Sequence, residues 1–148
     1  MAQTTGAISF KDVKIELSTD GSSWTDASGH ANNIKVSGGD INTGEYYTAS
    51  GGTAIIKAGK QKPLKITIEV AYTETASEPW DMASTAYTNV SALYVRWSPK
   101  GGNSTNKRFT SASGYCTAQP YPIGDVEKGD IVKTNIVIET PSVTVTTI

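Results

Sequence analysis

The sequence predicts a mainly β domain: a two-sheet β-sandwich or partly open barrel with one short flanking helix and a long inter-strand loop. Several runs alternate between apolar and polar residues, as strands with one buried face do. Turn-forming Gly, Pro, Asn and Asp recur roughly every 8 to 12 residues, a spacing that suits short antiparallel strands. Helix-start chemistry occurs once, at Ser77-Glu78-Pro79-Trp80-Asp81.

Taken in order, residues 11–18 place Val13, Ile15 and Leu17 on one face and Lys14 and Glu16 on the other, a half-buried strand. Asp20-Gly21 tolerates positive φ and predicts a tight hairpin turn, with Trp24 returning to cap the core. Ile34 and Val36 mark a shorter strand over 33–37, ended by Gly38-Gly39. Residues 38–52 carry apolar and aromatic side chains but no period that would bury them in one small domain, and the glycine- and lysine-rich run on to 62 has no helical or catalytic pattern. This stretch runs into the cleanest strand of the chain, 64–72, where Leu64, Ile66, Ile68, Val70 and Tyr72 share a face.

Ser77 as a cap, Pro79 in the first turn and acids near the positive end of the dipole predict a helix to about Tyr87. Trp80, Ala83 and Tyr87 would form its packing face. Residues 92–98 form a further strand, with Leu93, Val95 and Trp97 in one register. More β material spans 107–119 with an interruption at Gly114, Pro120 and Pro122 break it, and 131–139 gives a late strand. Val143 and Val145 among threonines suit an edge strand or an extended arm.

At 148 residues and 15.6 kDa the chain suits one domain with a single core. A formal net charge of −1, with 18% charged residues, writes no global attraction to nucleic acid or anionic membrane into the composition. Lys57, Lys60, Lys62 and Lys65 form the only basic cluster, which reads as a solvated loop tip. Cys116 is the only cysteine, so no internal disulfide forms, and the thiol is expected to pack as a small hydrophobe. The start of the chain lacks the charged and apolar regions of an export signal, no run approaches the roughly 18 apolar residues of a membrane span, and folding in the cytoplasm is expected.

Catalytic chemistry is not legible. His30 is the only histidine and has no second histidine or cysteine for a zinc site. No serine sits in a glycine-flanked nucleophile elbow, and Gly51, Gly52 and Gly59 lack the spacing of a phosphate loop. The run Asp20, Ser22, Trp24, Asp26 puts tryptophan where a calcium ligand should stand, so a turn is the better reading. Trp24, Trp80 and Trp97 lie in register with apolar neighbours and are expected in the core. Tyr46-Tyr47, near glycines and out of register, suits a protein interface. The chain is therefore read as no enzyme, with no cofactor and no metal.

Five segments together resemble the major tail tube proteins of long-tailed bacteriophages: Ser18-Thr19-Asp20-Gly21-Ser22-Ser23-Trp24-Thr25-Asp26, Gly44-Glu45-Tyr46-Tyr47-Thr48, Lys57-Ala58-Gly59-Lys60-Gln61-Lys62-Pro63-Leu64, Ala71-Tyr72-Thr73-Glu74 and Tyr94-Val95-Arg96-Trp97-Ser98-Pro99. The likeness runs over residues 10–143. These proteins are similar in fold to the tube subunits of type VI secretion and contractile injection systems. The resemblance implies a virion structural protein, made in the host cytoplasm and located in the tail. It would assemble with itself into hexameric rings that stack into a hollow tube.

Residues 38–62 would then be the stacking loop. Ile41, Tyr46, Tyr47, Ile55, Ile56, Lys57 and Lys60 would make contacts between subunits, aided by N-terminal (1–10) and C-terminal (141–148) arms. Tape measure, tail tip and terminator proteins would be its other partners, and viral DNA would pass without specific binding. A lumen should be polar and preferably negative, since lysines would hold phosphates. Thr67 and Glu69, with Lys133 and Asn135, stand opposite the core face and are the candidate lining. The alternatives are a monomeric glycan-binding β-sandwich stacking Tyr46, Tyr47 or Trp80 on sugars, and a capsid decoration or tail terminator protein.

Overall fold

The structure, a computed structural model, describes residues 2–148; Met1, the first residue of the expected N-terminal arm, lies outside them. The remainder of that arm is exposed and leads into a single 3-10 turn at Phe10–Asp12. Eleven strands and one helix follow: β1 (Lys14–Ser18), β2 (Thr25–Asp26), β3 (Ala31–Gly38), β4 (Ile41–Tyr46), β5 (Ile55–Gln61), β6 (Leu64–Ala71), α1 (Pro79–Asn89), β7 (Ala92–Ser98), β8 (Lys107–Ser111), β9 (Gly114–Cys116), β10 (Lys133–Thr140) and β11 (Val143–Thr147).

Nine strands form one bent sheet, and β4 and β5 form a second, separate one. The bend lies in β7. Its first half pairs Ala92 and Leu93 with β9, in the layer β9-β10-β6-β3. Its second half runs between β1 and β8, in the layer completed by β2 and β11. The two layers face each other across one core of Ile15, Leu17, Ile66, Ile68, Val70, Leu93, Val95, Trp97, Ile136 and Ile138, and no strand pair closes the barrel. The alternation in β6 is realised as expected: Ile66, Ile68 and Val70 are buried, and Thr67 and Glu69 face away. Gly114 opens β9 rather than interrupting it. A Cβ there would lie 2.8 Å from both the Glu139 carbonyl and the Ile138 side chain, so only glycine lets the strands approach.

Local details depart from the sequence expectation where polar groups found better partners. The turn after β1 is a longer loop, in which the Asp20 carboxylate accepts from the Ser22 and Ser23 amides at 2.7 Å each. The Ser23 and Ser22 amides, with the Ser18 hydroxyl, hold its carboxyl well below the usual range. Trp24 does not cap the core. Its ring lies 4.2 Å from the Arg96 guanidinium on the outer face, where Arg96 also grips Glu16 through two hydrogen bonds of 2.6 and 3.1 Å. Glu78 rather than Ser77 stands at the N-cap of α1, because Ser77 takes positive φ and its amide donates to Asp81. The packing face of α1 is Pro79, Ala83 and Ala86, while Tyr87 is exposed, because small residues let the helix lie close over the sheet mouth. Trp80 is half-buried, its indole donating to the Pro120 carbonyl and its ring edge-on to Tyr72. Cys116 is buried as expected, and burial pushes its thiol up.

Burial works against the charge on Glu16, yet hydrogen bonds from Arg96 and Lys14 outweigh it and lower the carboxyl from its ordinary value of 4.5. A lowered carboxylate stabilises the fold fully above that value and loses the contribution as pH falls through the folded one. Glu16→Gln should therefore cost roughly 3 kcal/mol at neutral pH, since it leaves Arg96 without its anion, and should flatten the acid limb of urea midpoints measured against pH. Ile68→Ala, at the fully buried centre of β6, should cost about 2 to 5 kcal/mol in the same assay.

Candidate functional site

Residues 38–62, expected as an irregular loop, form a β-hairpin. It extends the β3–β6 pair beyond the end of the main sheet, through Gly39 N–H to the Pro63 carbonyl and Lys62 N–H to the Asp40 carbonyl. The junction is a kink: Gly38 and Gly39 both have φ of 78°. A Cβ on Gly38 would stand 2.5 Å from the Pro63 carbonyl oxygen, so the hairpin's direction depends on that glycine. Beyond the kink, Gly44 pairs with Lys57, Glu45 with Ile56 and Tyr46 with Ile55, with a register shift between Ile41 and Thr43. A Cβ at Gly59 would lie 3.0 Å from the Asn42 carbonyl oxygen beside that shift.

Every residue of β4 and β5 is exposed. Because strand side chains alternate, the cross-strand pair Tyr46–Ile55 stands on one face and Ile56 on the other, with Tyr46 69% and Ile56 62% exposed. Ile41 and Tyr47 are also exposed. A lone two-stranded hairpin is marginal in water, and this one presents apolar side chains to both sides without a sheet to cover either. The structure thus brings Tyr46 and Ile55 together, sets Ile56 behind them and lines Lys57 and Lys60 along β5. The alternation that could have revealed it is interrupted by glycines and by the register shift.

The outer face of the β3-β6-β10-β9 layer is polar. Thr67 lies between Lys35 and Val137, and Glu69 between Asn33 and Asn135. The Glu69 carboxylate accepts from Asn32 at 2.8 Å and meets Lys133 at 3.5 Å; the Asn32 hydrogen bond foremost, helped by Lys133 and Lys35, lowers its carboxyl although burial opposes them. Lys65 pairs with Glu139 at 3.9 Å. Among the described residues, no group of three or more His, Cys, Asp and Glu is placed to hold a metal. His30 lies in the turn before β3, 3.9 Å from Glu78, and Thr73 bonds the same carboxylate. At the C-terminus β11 pairs with β8 as an edge strand, leaving its other edge open.

Solved structures with this arrangement exist. A chain of the sheath–tube complex of the extracellular contractile injection system PVC, in its extended state, superposes with TM-score 0.70 at 17% identity, over 97% of this chain and 94% of that one. A chain of the SPP1 tail tube gives TM-score 0.69 at 12% identity over 96% and 80%. The chain shares their fold. The tail of the empty gene transfer agent particle, refined with C6 symmetry, gives 0.66 at 11% identity over 99% of each chain. No protein-family model matches the sequence, and no curated protein does.

Gly38→Ala should leave the main sheet intact but redirect the hairpin: far-ultraviolet circular dichroism would stay unchanged, while protease cleavage within residues 39–62 would rise. Tyr46→Ser with Ile56→Ser should move the urea midpoint by no more than about 0.5 kcal/mol equivalent, because exposed side chains outside a packed core contribute little to folding.

Proposed function

We propose that the chain is a structural subunit of a virion tail tube, assembling with itself into stacked rings around a hollow channel. The observation that carries this reading is the hairpin of β4 and β5, which exposes apolar side chains on both faces that neighbouring copies would cover. The shared fold supports it, since structures of that fold come from tail and injection tubes. Six-fold rings are favoured by the C6 symmetry of one such tail. Neighbouring copies would also use the open edges of β3 and β11, which as free edges invite indiscriminate pairing and in a closed ring find a defined partner. The arms at 2–10 and 141–148 would join these contacts, and terminator, tape measure and tip proteins would meet the ends of the tube.

The polar face carrying Thr67 and Glu69 is the proposed channel lining. Lys133 and Lys65 are there beside Glu69 and Glu139. A lysine already paired with a carboxylate offers less to a passing phosphate, so, with Lys35 beside Thr67 acting on Glu69 only at longer range, DNA would be held weakly. No step of this function needs a reacting group, and the proposed role is not enzymatic.

The test is negative-stain electron microscopy of the purified protein across a concentration series, with light scattering on the same samples. Hollow tubes or rings of uniform width are expected. A chain that remains monomeric throughout would overturn the reading. Deleting residues 39–60 should leave a folded, soluble domain that no longer stacks, and normal tubes without that segment would refute its role.

A further inference from the structure

The hairpin has a counterpart at the opposite end of the same layer. Strands β3 and β6 meet the hairpin at the Gly38–Leu64 pair; at their other ends Ala31 pairs with Val70, and Ala71 pairs with Lys133, where β10 begins. Eight residues of β6 separate the two ends, about 25 Å at strand rise. At that far end, beyond the buried Pro120 whose carbonyl takes the Trp80 indole, residues 121–132 leave the body of the domain, held by the Ile123–Lys133 bridge and by Tyr72 N–H to the Val132 carbonyl. Their apolar side chains are uncovered: Val126 is 99% exposed and Ile131 78%, with Tyr121 and Ile123 also exposed. Between them Gly124, Val126, Gly129 and Val132 line a shallow hollow of about 360 Å3, rimmed by Asp125 and Asp130.

The two ends are opposite in charge. Residues 38–63 carry Lys57, Lys60 and Lys62 against Asp40 and Glu45, one net positive charge. Residues 121–132 carry Asp125, Glu127 and Asp130 against Lys128, two net negative charges. Lys128 engages Asp125 at 3.8 Å, which leaves Glu127 and Asp130 without a cation from their own segment. A surface that is apolar and basic at one end and apolar and acidic at the other is complementary to itself only by head-to-tail translation, the heterologous contact that builds open filaments.

We infer that the hairpin of one copy seats on residues 121–132 of the next, with Tyr46 and Ile55 against the hollow and Lys57 and Lys60 over Glu127 and Asp130. This rests on the tube reading and adds to it the acceptor surface and the polarity of stacking. The occupant is a second copy of this chain, because both complementary patches belong to it and are spaced along one sheet.

Charge exchange tests it. Lys57→Glu with Lys60→Glu should raise the concentration at which tubes form at least tenfold, and Glu127→Lys with Asp130→Lys should do the same. The four substitutions in one chain, or an equimolar mixture of the two double variants, should restore assembly. All four positions are exposed, so circular dichroism should show each variant folded. A second readout traps the contact directly: tubes of Tyr46→Cys, Val126→Cys protein treated with a short bis-maleimide should yield covalent ladders, Cys116 being buried. Tubes of wild-type protein in which either double variant assembles normally and no ladder forms would overturn this inference while leaving the tube reading in place. Wild-type protein that never assembles would overturn both.

Discussion

Everything distinctive in this molecule hangs on the register of β6 between β3 and β10. Ile34, Ile68 and Ile136 lie in one row across the three strands, with Ile66 and Ile138 in a neighbouring row, and this sets every odd residue of β6 outward. A slip by one residue would bring Lys65, Thr67 and Glu69 into the core. The same pairing holds the hairpin at one end and the 121–132 segment at the other, so the spacing and orientation of both are consequences of core packing.

The second structural device is the bend in β7. A strand that serves two layers lets a single chain of modest length enclose a core without closing a barrel, and it leaves β3 and β11 as open edges. Burial in β1 shows the cost of that compactness: Glu16 is buried on the outer side of its layer and must be neutralised by Arg96 and Lys14, with Trp24 stacked over the arginine. The charged cluster thus completes a surface too broad for the short β2 strand to cover. A tryptophan that pattern alone assigns to the core serves instead as the lid of an ion pair.

The hairpin and the 121–132 segment share a physical logic. Neither contributes to the core, and each exposes apolar side chains that a stable monomer would keep few. In the proposed stacking, their disposition at opposite ends of one layer would turn two liabilities into a directional interface. The face between the ends sets Lys133 beside Glu69 and Lys65 beside Glu139, the feature on which its proposed role as a channel lining rests.

The strands of the core were legible from residue order because burial of one face imposes period two, and Ile15-Leu17, Ile66-Ile68-Val70 and Leu93-Val95-Trp97 keep it without interruption. A lone histidine and a lone cysteine leave the sequence little from which to read a reactive constellation. Sequence alone also marked residues 38–62, with Ile41, Tyr46, Tyr47, Ile55 and Ile56, as apolar surface that the core would not take. It did not show that they pair, because the register shift and the glycines erase the period, and a hairpin without a buried face leaves no alternation to read. Trp24, Ser77 and Tyr87 were decided by partners distant in sequence or by local hydrogen bonds that pattern does not encode. Nor does residue order reveal that 121–132 lies opposite the hairpin: that follows from antiparallel pairing of β6 with strands on both sides, a long-range arrangement that only the folded sheet determines.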